Sequence, residues 1–282
     1  MKNIRRGIAL FLSMLLLLSC FATASFAADE NLQYLILGDS IGYGAGVLNP
    51  DEACFGRIVA NTNGYAYQNY AVCGHRTENL LKMLQREQVA QAVKDADIIS
   101  ISIGGNDFLT DNAAGLVLDA VLRKDYTRMD SIAAQLRINF AEIIETILAL
   151  NPDVTILMQT LYNPGKSFYR APYQEAADRI NNTIRDYLAD HPGAYTIVDV
   201  ATAFGDDPSY IAQDVTHPSA KGNEKIATLI LETLHDLGLG SATEPTVTVR
   251  GVDQNDWSLS TICLHIRHLV QLFRNVRFGM DR

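Results

Sequence analysis

Five short apolar runs, separated by stretches that read mostly as helices, narrow the folds open to this chain. Leu32 to Leu37 is the first and ends at Gly38; Tyr65 to Val72, Asp97 to Ile103, Val154 to Gln159 and Tyr195 to Val200 follow. Runs of this length bounded by turn residues read as buried strands. Between and after them, Ile132, Leu136, Phe140, Ile143 and Ile147 recur at helical spacing up to Asn151-Pro152. Ala177, Ile180, Ile184 and Tyr187 do the same before His191-Pro192, and Ile226, Ile230, Leu234 and Leu237 before Gly238. Strands that alternate with helices imply a parallel sheet covered on both faces. In such sheets ligands bind beyond the carboxyl ends of the strands. One stretch, Asn112 to Asp130, breaks the alternation: Ala113, Leu116, Val117, Ala120 and Val121 predict an extra helix, which either lines the site or is an ordinary surface helix.

The two ends of the chain read differently from this middle. Lys2, Arg5 and Arg6 precede an apolar run from Ile8 to Leu18, and small residues follow up to Ala27. That is the pattern of a secretory signal peptide over 1–27, too short and wrongly flanked for a membrane span. Leu17-Leu18-Ser19-Cys20 offers a competing cut, with Cys20 lipidated and the protein anchored at the cell surface. Residues 28–240 then form one α/β domain. The net charge of −9 becomes −12 when the three leader cations go, which argues against nucleic acid as a partner. Residues 241–282 change character: Ser241 to Pro245 reads as a linker, and Leu259, Ile262, Ile266, Leu269, Val270 and Phe273 share one face of a basic helical pattern. Such a segment suits contact with an anionic membrane or cell-wall polymer, or docking on its own domain.

The chemistry sits in short words just after the predicted strands. Gly38-Asp39-Ser40 follows the first, Gly104-Gly105-Asn106-Asp107 the third, and Asp214-Val215-Thr216-His217 precedes the last helix. A serine hydroxyl needs an imidazole to take its proton, and an imidazole needs a carboxylate to fix its tautomer. Asp214 and His217, three residues apart, are close enough to serve each other. Ser40, His217 and Asp214 are therefore the candidate catalytic residues, and the amide of Asn106 a candidate oxyanion donor. Gly42 and Gly44 are expected to leave the backbone near Ser40 open to a substrate. The other histidines share no ligand spacing, so no metal and no cofactor is expected.

These words together resemble the SGNH, or GDSL-type, hydrolases. Gly38-Asp39-Ser40-Ile41 is similar to the first block of that family, with isoleucine where leucine is usual. Asn69-Tyr70-Ala71-Val72-Cys73-Gly74 resembles the second, Gly104-Gly105-Asn106-Asp107 the third, and Asp214-Val215-Thr216-His217-Pro218 the fifth. The resemblance spans about Leu32 to Gly238. It implies a three-layer α/β/α sandwich with a five-stranded parallel sheet in the flavodoxin-like order 2-1-3-4-5. It further implies an esterase whose oxyanion hole is formed by the N–H groups of Ser40 and Gly74 and the side chain of Asn106. Asp39, Ile41, His75 and Asp107 border these blocks and are candidate substrate contacts. Small acyl esters, acetylated glycans and lipids all remain open as substrates. A surface module that binds glycan or lipid on the same fold, without turnover, is the competing reading.

Two other motifs fit less well. Gly38 to Gly42 also satisfies Gly-x-Ser-x-Gly, but the α/β-hydrolase fold needs several strands before its nucleophile and only one precedes Ser40. Gly42 to Gly46 follows a strand as a dinucleotide loop would, yet Val47 stands where the third glycine belongs. Cys54 and Cys73, 19 residues apart, can either pair in an oxidising compartment or remain buried thiols, and Cys263 lies in a different region.

Overall fold

A computed structural model describes residues 31–109 and 113–246. Five strands, β1 (Gln33–Gly38), β2 (Ala66–Asn69), β3 (Ile98–Ser102), β4 (Thr155–Gln159) and β5 (Thr196–Val198), form one sheet in the order β2-β1-β3-β4-β5. Every pairing is parallel. The expected order and three-layer class are therefore found. Four strands are shorter than their apolar runs, and β2 and β5 by three residues or more. β2 ends at Asn69, whose side chain accepts the N–H of Ala71, though the N–H groups of Tyr70 and Val72 still donate to the Ile36 and Gly38 carbonyls of β1. β5 stops at Val198 because Asp199 caps a new helix, Val200–Phe204, by accepting the Thr202 N–H.

The strand residues alternate between two apolar layers, as the two-residue period of a strand requires. Leu35, Leu37, Ile99, Ile101, Ile156 and Met158 face one layer. It is covered by the helices Thr77–Leu84, Glu87–Asp95, Thr127–Leu150 and Arg170–Asp190. Tyr34, Ile36, Ile98, Leu157 and Val198 face the other, under Phe55–Asn63, Val200–Phe204 and Ala220–Asp236. Each of these side chains that is fully buried contributes about 1.5–3 kcal/mol relative to exposure. Ser100 on β3 is a polar residue in this second layer, and it is hydrogen-bonded to the Tyr34 hydroxyl at 2.8 Å. The long helix ends where predicted: Asn151 is its C-cap, and its side chain also donates to the carbonyls of Val93 and Ala96.

The stretch outside the alternation folds as a helix, Ala113–Leu118, that runs into a π-helical turn at Asp119–Arg123. Ala242 of the expected linker and Thr246 just after it lie against the Phe55–Asn63 helix, with N–H bonds to the side chains of Asn63 and Thr62. The leader at 1–27 and the basic segment with Cys263 lie outside the described residues.

One glycine sets the geometry of the sheet edge that carries the serine. Gly38 ends β1 at a φ of +122, opposite Ser102 on β3. A Cβ there would stand 1.9 Å from the Ser102 carbonyl oxygen. Side chains are excluded both by that approach and by the backbone conformation. Gly38→Ala is expected to lower unfolding stability by more than about 2 kcal/mol, read by urea denaturation.

Candidate active site

Ser40 opens a single helical turn, Ser40–Tyr43, directly after β1. The turn is short because Gly44 takes a left-handed φ of 92 and ends it. Its N-cap is Asp39, only 2 % exposed, whose carboxylate accepts the Ile41 N–H at 3.0 Å and the Ser102 hydroxyl at 3.1 Å. The Asp39 N–H in turn donates to the Ser102 carbonyl at 3.0 Å. The residue before the serine is thus locked to β3 by two hydrogen bonds and to its own turn by a third. Gly42 does not open the backbone to substrate as expected. It is buried, and a Cβ there would meet Ala71 at 2.9 Å, so its smallness serves packing.

The base arrives from the other end of the chain. His217 Nε2 lies 2.8 Å from Ser40 Oγ, and its Nδ1 lies 2.6 Å from Asp214 Oδ2. The second Asp214 oxygen accepts the backbone N–H groups of Thr216 and His217, both at 3.0 Å. These bonds hold Val215 at a left-handed φ of 58, a costly conformation for a branched residue. Asp214 does not cap the last helix; Ser219 does, by accepting the Gly222 N–H. Burial opposes ionisation of Asp214, but the His217 hydrogen bond and charge, with the two N–H groups, outweigh it and hold its carboxyl at about 2. A partner that is ionised at neutral pH fixes the proton on Nδ1 and leaves Nε2 as acceptor toward the serine.

Asn106 and Gly74 meet through a neighbour. Asn106 belongs to the turn Gly105–Phe108 after β3, and its side-chain amide donates to the His75 carbonyl at 3.0 Å. An amide has two N–H groups, so one remains for a ligand. The same loop is tied to the serine turn by Asn69, whose amide donates to the Gly42 carbonyl at 3.0 Å. Asn106, Ser40, His217, Asp39 and Ile41 all line one cavity. Asp107 is engaged elsewhere: its carboxylate accepts the Thr77 N–H at 3.1 Å and the Thr77 hydroxyl at 2.5 Å, anchoring the start of the Thr77–Leu84 helix. His75 offers its carbonyl, while its ring Nδ1 is buried with no partner.

Cys54 and Cys73 are not joined by a disulfide here; both are thiols. Cys54 is turned inward, its sulfur 3.2 Å from the Tyr67 hydroxyl and accepting the Arg57 N–H. Burial pushes its thiol up, and burial together with Asp39 pushes Cys73 up to about 12.

The cavity has a volume of about 290 Å³. Its polar end holds Ser40, Asn106, Thr216 and His217, and the rest is walled mainly by apolar side chains, some from the Ala113–Leu118 helix. The loop after β4 supplies residues that the sequence reading missed. Tyr162 is buried and its hydroxyl donates to the Thr216 carbonyl at 2.8 Å, bracing the loop that carries His217. Leu161 lines the cavity, with its N–H bonded to Asn181 Oδ1 at 2.7 Å and its carbonyl to Asn181 Nδ2 at 2.9 Å. No motif marked these positions; an aromatic just past a strand's carboxyl end was the one available signal.

Residues 36–225, more than half of the chain, match the GDSL-like lipase/acylhydrolase family. The chain is also similar to an uncharacterised protein, YpmR, of Bacillus subtilis, at 26% identity over 231 residues, covering 74% of this chain and 84% of that protein. It is 26% identical over 221 residues to the spore germination lipase LipC of Bacillus licheniformis, covering 74% and 97%. Among solved structures, a lipase from a goat rumen metagenome superposes with a TM-score of 0.59 at 24% identity, covering 74% of this chain and 99% of that one. At that identity the last likeness speaks for the fold.

The two carboxylates beside the serine and the histidine respond to pH in opposite ways. Burial pushes Asp39 up from 3.8 to about 6, outweighing its hydrogen bonds. The folded state then binds this proton more tightly than the unfolded chain. Its contribution to stability is greatest below pH ~4 and declines as pH rises to about 6. Asp214, held low, contributes above the ordinary carboxylate range and loses that contribution as pH falls toward 2. Asp39→Asn removes the first effect. Its stability relative to wild type is expected to be about 1–3 kcal/mol more favourable at pH 8 than at pH 3.5, measured by urea denaturation at both values.

Proposed function

Because the chain belongs to the GDSL-like lipase/acylhydrolase family of carboxylic ester hydrolases, we propose that it is an exported serine esterase working through an acyl-enzyme on Ser40. The observation that carries this reading is the continuous run from Asp214 Oδ2 to His217 Nδ1 at 2.6 Å and from His217 Nε2 to Ser40 Oγ at 2.8 Å. Ser40 and His217 are 8 % and 7 % exposed, so this transfer takes place largely away from bulk water. A binding module would have no use for a buried, oriented base against a hydroxyl.

In the proposed reaction the Ser40 oxygen attacks the ester carbonyl as His217 Nε2 takes its proton. The carbonyl π pair moves onto oxygen, and the oxyanion is met by the N–H groups of Ser40 and Gly74 and the free amide hydrogen of Asn106. Collapse of this intermediate re-forms the carbonyl and expels the alkoxide, which takes the proton from His217. Water then attacks the acyl-Ser40 carbon with the same histidine as base, releasing the carboxylic acid and restoring the hydroxyl. Export rests on the leader pattern of Lys2, Arg5 and Arg6, the apolar run and the small residues to Ala27, with lipid attachment at Cys20 as the alternative form of the same address.

Hydrolysis of p-nitrophenyl esters by the wild type, with loss of at least about 10³-fold in Ser40→Ala, tests the reading. A fluorophosphonate probe should modify Ser40 and no other serine. Asn106→Ala is expected to lower kcat by about 10²–10³ with little change in KM, as loss of a donor that acts on the transition state would. Equal turnover by wild type and Ser40→Ala, or binding of esters without turnover, would remove the catalytic assignment.

A further inference from the structure

We infer that the ester taken by this site carries a medium-length aliphatic acyl chain of about ten carbons, seated in the apolar cavity beside Ser40. The inference rests on the serine-esterase reading above and adds to it the identity of the acyl portion. The cavity of about 290 Å³ begins at Ser40 and His217 and continues between the turn Gly105–Phe108, the helix Ala113–Leu118 and the helix Arg170–Asp190. Away from the reacting groups its wall includes Phe108, Leu116, Val117, Met129, Leu161 and Ile180. Among the described residues no lysine, arginine or glutamate lines it, and the one aspartate that does, Asp39, is occupied by Ile41 and Ser102.

Size and chemistry point the same way. A dry apolar cavity of about 150 Å³ accepts benzene, which is roughly 25 Å³ per carbon. On that scale the present volume suits about ten to twelve carbons. An acetyl group would cover a single methyl's worth of wall. A sugar placed there would lose its hydration to apolar side chains and find few partners, a cost of several kcal/mol. An alkyl chain gains with each methylene, about two- to fourfold in binding. Leu109 and Tyr169 line the cavity and are also about half exposed, so it is open to solvent on their side and a chain can enter there.

The test uses the purified protein and p-nitrophenyl esters from acetate to palmitate, in a fixed concentration of detergent. The expected kcat/KM rises at least about 10²-fold from acetate to octanoate or decanoate and falls again at palmitate. Val117→Trp and Ala176→Phe narrow the cavity from two different helices, at positions only partly buried. Each is expected to lower the decanoate-to-acetate ratio of kcat/KM at least about tenfold. A flat profile, a maximum at acetate, an uninterrupted rise to palmitate, or an unchanged ratio in both folded variants would overturn the inference. So would a second series, acetates of alcohols of increasing length, if that series and not the first showed the dependence. Any of these results with Ser40 still labelled by fluorophosphonate leaves the esterase standing. No turnover of any ester, with Ser40 unlabelled, would remove the esterase and this inference together.

Discussion

The approach of β1 to β3 at their carboxyl ends governs the rest of the site. With glycine at position 38, the two backbones come close enough for the Asp39 N–H to reach the Ser102 carbonyl and for the Ser102 hydroxyl to reach the Asp39 carboxylate. Asp39 then caps the short turn on which Ser40 stands, and that turn receives Asn69 from the end of β2. The nucleophile is therefore positioned by the sheet itself, through hydrogen bonds that are buried and hard for water to replace. Against this edge a segment 177 residues later places its imidazole.

Two carboxylates near one serine have opposite surroundings. Asp39 accepts one N–H and one hydroxyl in a closed environment, and burial prevails. Asp214 faces an imidazole and two N–H groups, and these prevail over burial. The contrast suits their positions. Asp214 is most useful as a fixed negative charge against His217, whereas Asp39 serves the architecture of the turn. The same division separates Asn106 from its neighbour Asp107: the amide lines the cavity and the carboxylate secures Thr77. Adjacent residues in one motif thus divide between the ligand space and the scaffold.

Most of the sheet was legible because a buried parallel strand leaves a dense apolar run, and the run ends where the chain turns toward solvent. What blurred the end of β5 was local polar chemistry: Asp199 caps a new helix with a side-chain hydrogen bond inside an otherwise strand-like stretch. Past Asn69 the apolar run reads on because the N–H groups of Tyr70 and Val72 still bond to β1. Ser40, Asp214 and His217 could be named from short words of unusual composition. Asp39 as a cap was available in principle, since aspartate before a helical turn is a common N-cap. Tyr162, Leu161 and Asn181 carry no such mark. Their roles arise from contacts 20 to 54 residues apart that periodicity cannot report.

Asn181 pairs both the N–H and the carbonyl of Leu161, as an adjoining strand would. One side chain from a helix thereby continues strand-like hydrogen bonding past the carboxyl end of β4, and a nonrepetitive segment gains the stiffness of sheet. Ordering of that wall is completed when the polypeptide folds, so an incoming ligand meets a shape already settled and loses less freedom of the protein on arrival.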